Sequence, residues 1–303
     1  MKPDYAHLIV NPAAGAGKTG RTWPRLLEII RATGLRFEHA ITEAPGHAAE
    51  LAKSAVRRGY RTIVSVGGDG TVNEVVNGLH ASGALNDATL GIISTGTGSD
   101  YTRTLGLPRN TREAIARLQQ GNTTTADIGV VAWGESGGQR LFVNFAGMGF
   151  DAEIVRRTTQ QFKNLGALGA YLAGLLTTLA TYKNRDIALR LDGEETERRI
   201  CTVIMNNGRY GGGGMKTAPE ADLNDGLLDV LVIGDVSKPD LLRSLPRVYR
   251  GTHLTHPKVS LYRAREIEIR SLNGPVPLQA DGELLGASPA RFTILEDSLT
   301  VLV

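Results

Sequence analysis

The chain has 303 residues with 41% apolar and 21% charged side chains, ordinary for a globular protein, which argues against disorder and leaves room for about two domains. The net charge of +3 is a mild basic excess without the dense basic runs of a nucleic-acid binder, and it suits a protein that handles phosphates or meets an anionic membrane. Cys201 is the single cysteine, so an intrachain disulfide and a cysteine-based zinc site are both excluded.

The first third alternates strand and helix patterns. His7-Leu8-Ile9-Val10 is a short apolar run ended by Asn11-Pro12. Helical spacing follows at Leu26, Leu27, Ile29 and Ile30, then strand-like alternation over 36–40, then a helix over 48–58 closed by Gly59. A β-rich run over 62–66 precedes the stripe Val72, Val75, Val76, Leu79, which predicts an amphipathic helix. Another strand (90–93) and another helix (111–120) complete the pattern. Repeated βα units with apolar strands predict a parallel sheet covered on both faces.

Past a polar, helix-poor segment at 121–126, read as a linker, strands dominate: 128–132, 140–144, 187–191, 200–205, 227–232, 267–270, 276–280, 292–295 and 299–303. Helical stretches are expected near 166–182 and 238–249. This reads as a β-rich second domain. The segment from Asn164 to Tyr182 carries no charge but is at the short limit for a bilayer span, and is read as a buried or interfacial helix. The N-terminus lacks the apolar core of a signal peptide, so a cytoplasmic protein is expected, with peripheral contact at the inner face of the membrane.

The most informative loop is Val66-Gly67-Gly68-Asp69-Gly70-Thr71-Val72-Asn73-Glu74. Glycines between a buried strand and a helix let a phosphate approach backbone N–H groups and the helix dipole. A carboxylate at that place is repulsive unless a cation bridges it to the phosphate, so Asp69 argues for Mg²⁺ with a nucleotide. The competing reading is a plain strand–helix turn in which Thr71 and Glu74 form a capping box. Ser94-Thr95-Gly96-Thr97-Gly98-Ser99-Asp100 repeats the design after the next strand, and Asp100 is a candidate to complete the network of Asp69. Gly15-Ala16-Gly17-Lys18-Thr19-Gly20 matches a dinucleotide pattern, but 11–14 separate it from its strand; a Walker loop would need glycine at Pro12. It is read as a flexible loop beside the nucleotide, with Asn11 as the contact.

In this order the motifs resemble the diacylglycerol kinase catalytic family, which includes bacterial lipid kinases and the sphingosine and ceramide kinases. The second half agrees: Asn144-Phe145-Ala146-Gly147-Met148-Gly149-Phe150-Asp151; Asn206-Asn207-Gly208-Arg209-Tyr210-Gly211-Gly212-Gly213; Pro219-Glu220-Ala221-Asp222-Leu223-Asn224-Asp225-Gly226-Leu227-Leu228-Asp229; and Asp281-Gly282-Glu283. The resemblance implies an N-terminal Rossmann-like α/β domain of the NAD kinase/phosphofructokinase type (1–125 plus 292–303) and a C-terminal β-rich sandwich domain (126–291). It implies an ATP site between them and a lipid cleft in the second.

By the same resemblance, Asn11, Thr42, Gly67, Gly68, Asp69, Gly70, Thr71, Val72, Asn73 and Thr95 would contact ATP. Asp222, Asp225 and the Leu227 carbonyl would hold structural Mg²⁺. Glu283 would be the general base, with Asp69 and Asp100 in the catalytic group. Read without the family, 280–283 is a hairpin-turn signal. The departure from the family is Ser99, where Asn is usual, followed by Tyr101-Thr102 in place of Phe-Ala. Expected partners are a lipid at a membrane surface and no nucleic acid, and a homodimer is compatible with the sequence. The alternatives are a kinase of a soluble acceptor, NAD kinase-like, and a catalytically silent nucleotide- or lipid-binding regulator.

Overall fold

A computed structural model describes residues 5–134, 137–161 and 166–303. The chain divides into two compact units, one comprising residues through Ile128 with Leu223–Asp225 and Glu296–Val303, the other Gly129–Asp222 with Gly226–Leu295.

The first unit alternates β1 (Ala6–Val10), α1 (Lys18–Ala32), β2 (Phe37–Ile41), α2 (His47–Arg57), β3 (Thr62–Gly67), α3 (Asp69–Ala81), β4 (Thr89–Ser94), α4 (Asp100–Thr104) and α5 (Thr111–Gln120). The strands pair in parallel in the order β2-β1-β3-β4. Thr300 and Val301, from the end of the last strand, add to β4 in parallel. Period-two alternation gives β1, β3 and β4 two buried faces, whereas the edge strand β2 has no buried residue. Leu8, Val10, Val64 and Val66 pack with Trp23, Leu26 and Ile30 of α1 and with Ile115 and Leu118 of α5. Ile9 and Ile63, on the opposite face, are equally buried. The predicted stripe of α3 is buried at Val72, Val75, Val76 and Leu79. Full burial of each such side chain contributes about 1.5–3 kcal/mol.

The second unit holds β6 (Gly138–Phe142), β7 (Phe145–Gly149), α6 (Phe150–Gln160), α7 (Gly166–Thr181), β8 (Arg185–Leu191), β9 (Glu194–Asn206), β10 (Leu228–Gly234), α8 (Lys238–Arg250), β11 (Val259–Ala264), β12 (Glu266–Ser271), β13 (Pro277–Ala280) and β14 (Glu283–Ala287). Antiparallel pairing runs β14-β13-β7-β9-β8-β12, and the first residues of β15 (Ala290–Leu302) close on β12. The long β9 pairs with β8 through its first half and with both β7 and β10 through its second. Met148, Ile187, Val203, Val230, Ile269, Leu278 and Phe292 share one apolar core.

Several elements differ from the expectation. The segment read as a linker is largely strand, because β5 runs unbroken from Thr123 to Trp133. The two predicted final strands are one, β15, whose polar middle at Glu296 and Asp297 is exposed. No helix among the described residues is long and apolar enough to cross a membrane. That includes α7; Asn164, where the uncharged stretch begins, lies outside the described residues.

Candidate functional site

Because β1 to β4 are parallel, the loops after them emerge at one edge, the carboxyl edge at which open α/β sheets receive ligands. Backbone bonds lock these loops in step. Asn11 N donates to Val66 O (2.9 Å), Thr42 N to Val10 O (2.8 Å) and Thr95 N to Gly67 O (2.8 Å). Thr42 is thereby held at the end of β2 and is buried.

The glycines are where the loops touch. A Cβ on Gly96 would come within 2.6 Å of Gly68 Cα, and one on Gly15 within 2.7 Å of Thr95 O. On Gly67 it would overlap the Thr71 side chain. Gly70 differs: a Cβ there would meet nothing within 4 Å. Gly15 and Gly96 thus close the loops on one another, Gly67 closes its own loop on Thr71, and Gly70 borders open space. Beside that space begins α3, whose N-cap Gly68 is extended and offers no side-chain cap. A helix start left this way presents N–H groups and the positive end of the dipole to an anion.

Around this cradle the polar side chains are engaged. Asn11 Nδ2 donates to Thr71 Oγ1 (3.0 Å), while its Oδ1 accepts from Ala13 N (3.0 Å). The Thr19 and Thr95 hydroxyls share a bond of 2.6 Å. The Gly15–Gly20 segment, expected as a flexible loop, is therefore a set of hydrogen-bonded turns leading into α1. Asn73, the fifth residue of α3, is buried and accepts from Asn77. The capping box proposed for Thr71 and Glu74 does not form. Both lie inside α3, and the Glu74 carboxylate instead accepts from Gly46 N (2.9 Å) and Ala48 N (3.0 Å), tying down the start of α2.

Asp69 Oδ1 accepts from Tyr101 N at 3.0 Å, so its carboxylate sits against the first turn of α4, which begins at Asp100. Asp100 is buried and pairs with Arg103 at 2.7 Å. Ser99 adopts left-handed backbone, φ 58°, and shares a 2.5 Å bond with Ser94 Oγ. Asn is among the few residues that tolerate that conformation well, so the Asn expected here by resemblance would suit this backbone.

In the second unit, Glu283 opens β14 directly after a tight turn. Asp281 (φ 46°) and Gly282 (φ 85°) are both left-handed, as a type I′ hairpin requires, and Ala280 pairs with Glu283. The Glu283 carboxylate meets Arg140 Nη2 at 2.6 Å. Asp281 accepts from the backbone N–H groups of Val143 (2.7 Å), Asn144 (3.0 Å) and Phe145 (3.1 Å). Gln279 spans the turn to Gly282 N (2.9 Å) and donates to the half-buried Asp151 carboxylate (2.9 Å). Burial pushes the Asp151 carboxyl above its usual range, against hydrogen bonds from Thr202 and Gln279. A side chain on Gly147 would overlap Asp151, which explains that glycine. Arg140, Asp281 and the Asp151–Gln279 pair escaped the sequence reading. Arg140 carries no local signal, whereas Asp281-Gly282 and Asp151 stood in motifs whose work only the fold reveals.

Asp222, Asp225 and Leu227 fall in the irregular segment between β9 and β10, with Asp222 exposed and Gly226 at φ 68°. Its backbone is anchored within the first unit by Leu223 O accepting from Asp127 N (2.6 Å), and within the second by Ala221 O accepting from Arg209 Nε (2.8 Å). Two carboxylates and a carbonyl are hard oxygen donors of the kind Mg²⁺ takes. Among the described residues no three His, Cys, Asp or Glu side chains cluster as a metal cage, so such an ion would have to draw on backbone oxygen. A groove of about 470 Å³ in the second unit is lined by Trp133 and by charged side chains including Arg190, Glu195 and Arg270, unlike an apolar lipid cleft.

Residues 5–131 match the model of the diacylglycerol kinase catalytic domain, and residues 144–303 match that of the YegS C-terminal NAD kinase beta sandwich-like domain. The chain belongs to the diacylglycerol kinase family. Among its relatives, the diacylglycerol kinase of Bacillus subtilis (strain 168) is 30% identical over 300 residues, covering 98% of this chain and 96% of the relative. That of Staphylococcus carnosus (strain TM300) is 29% identical over 297 residues, covering 98% and 94%. A crystal structure from Bacillus anthracis str. Sterne, described as a candidate diacylglycerol kinase, aligns with a TM-score of 0.80 at 25% identity over 100% of this chain and 96% of that one. The expected architecture, an α/β domain followed by a β-sandwich domain, is the one that this kinase family shares with the chain.

Proposed function

We propose that this kinase-family chain transfers the γ-phosphoryl group of ATP to the hydroxyl of a membrane lipid, diacylglycerol or a close relative, as a protein peripheral to the inner face of the membrane. The reading is carried by the cradle at the β3–α3 junction: Gly67 closed against the Thr71 side chain, Gly68 against the Gly96 backbone, open space beside Gly70, and an uncapped helix start. That combination suits a polyphosphate. Asn11, Thr42, Val72, Asn73 and Thr95 complete the binding edge.

Asp69, with Asp100 beside it, would orient the cation that accompanies the nucleotide. Mg²⁺, when bound, neutralises phosphate charge. Asp222, Asp225 and the Leu227 carbonyl would hold a second, structural ion. Glu283 would take the proton from the lipid hydroxyl as its oxygen bonds to the γ-phosphorus; the bond to the β-phosphate oxygen breaks and ADP leaves. Arg140 and Asp281 position Glu283.

The test offers γ-labelled ATP and Mg²⁺ with lipid in mixed micelles and, separately, with soluble alcohol acceptors including NAD. Label entering lipid alone is the expected result. Label entering a soluble acceptor, or ATP binding without turnover on a broad lipid panel, would overturn the proposal.

A further inference from the structure

A lipid kinase must meet its substrate at a bilayer, and one helix of the second unit carries the chemistry for that encounter. Helix α8 is capped at its start by Ser237 Oγ, which accepts from Asp240 N, and stopped by the left-handed Gly251. None of its residues is buried. Leu241, Ser244, Leu245 and Val248 recur at the spacing of one face and are half-buried, with Leu241 packed against the cluster of Phe150 and Ile154.

The outer face carries two parallel stripes. Leu242, Pro246 and Tyr249 form an apolar one, Leu242 being 53% and Tyr249 48% exposed. Arg243, Arg247 and Arg250 form a cationic one, displaced by a single residue. Elsewhere in this unit several surface arginines are paired: Arg190 with Glu195 and Glu268, Arg199 with Asp186, Arg291 with Glu266. Arg243, Arg247 and Arg250 form no ion pair among the described residues. The helix's single acid, Asp240, lies on its inner side, 3.2 Å from His256 Nε2. A helix dipole favours cations in its last turn, which covers Arg247 and Arg250 but neither Arg243 nor the exposed Leu242 and Tyr249.

We propose that this face of α8 docks the protein on an anionic lipid bilayer, with Leu242, Pro246 and Tyr249 entering the headgroup boundary and the three arginines meeting lipid phosphates. An amphipathic helix with a basic polar face binds such a surface by shallow insertion plus attraction to anionic lipid. A strip one helix wide is less than a stable protein interface buries, and the row of unpaired arginines points to a continuous anionic surface. The inference rests on the lipid-kinase reading for its purpose, but it is tested by binding rather than turnover.

The experiment is cosedimentation of the full chain with vesicles of phosphatidylglycerol and phosphatidylcholine, and with phosphatidylcholine alone. Binding should require the anionic lipid and weaken as salt rises. Combined Arg243→Gln, Arg247→Gln and Arg250→Gln should weaken it about fivefold per arginine, on the order of a hundredfold together. Combined Leu242→Ser and Tyr249→Ser should weaken it on a separate, salt-insensitive footing. Phosphorylation of lipid dispersed in detergent micelles should stay unchanged in both variants. Wild-type failure to sediment, or wild-type-like sedimentation of both variants, would overturn the proposal. Vesicle binding that depends on α8 in a protein that phosphorylates no lipid would leave the docking surface standing and remove the kinase reading.

Discussion

Arg140 Nη2 lies 2.6 Å from the Glu283 carboxylate, across the sheet edge at which the β13–β14 hairpin turns. If Glu283 is the base, this contact aims it. Arg140→Gln should lower kcat about 10- to 100-fold, the scale on which misplacing a catalytic group acts. Nucleotide affinity should hold within about twofold. Arg140→Lys should recover part of the loss. Steady-state kinetics with separate measurement of ATP binding checks this; an unchanged kcat would remove Arg140 from the positioning role.

Asp281 accepts three backbone N–H groups from 143–145, one charged acceptor serving three successive donors. Asp281→Ala should destabilise the protein by about 2–4 kcal/mol, since buried donors lose a charge-assisted partner. Asp281→Asn keeps one acceptor oxygen and should cost less. Urea denaturation of the three proteins should rank them in that order.

Gly70 tests whether the open space beside it is a ligand's. A methyl group there touches nothing in the protein and replaces glycine within a helix. Gly70→Ala should therefore raise stability by about 0.5–1 kcal/mol. If phosphate occupies the space, ATP affinity should fall at least about tenfold. Calorimetry for stability and for binding reads the two effects separately.

These expectations draw on features of unequal visibility in the sequence. The parallel sheet was legible because Leu8–Val10, Ile63–Val66 and Leu90–Ile93 are apolar runs between turn signals, and α3 because its valines fall at helical spacing. Helix α6 was hidden: Phe150 follows strand β7 without a break, and its polar remainder carries a weak stripe. Glu74 was misread because spacing shows only local partners, whereas Gly46 and Ala48 come from a different loop. The Thr19–Thr95 and Asp69–Tyr101 bonds likewise join residues far apart in the chain, and Arg140 was one more charge on an alternating strand.

Acid sensitivity should trace in part to His7. Its ring packs on Tyr60 with centroids 4.9 Å apart, and Nδ1 has no hydrogen-bond partner. Burial lowers its pKa and Arg58 lowers it further, with Glu38 opposing. Below about pH 6.5 the unfolded chain gains a proton on this ring before the folded one does. Stability from the neutral ring is therefore complete above that pH and declines as pH falls through the window beneath it. His7→Phe should flatten that decline in melts between about pH 7 and 5; an unchanged slope would assign it to other groups.

Asp69→Asn addresses the nucleotide site with the least disturbance, because Asn Oδ1 still accepts from Tyr101 N while the charge is gone. The decisive measurement is transfer of label from γ-labelled ATP to diacylglycerol in mixed micelles by the wild type and this variant, alongside their melting temperatures. The wild type should label the lipid, and the variant should fall by at least about a hundredfold with its melting temperature unchanged. Full labelling by a folded Asp69→Asn protein would contradict the account.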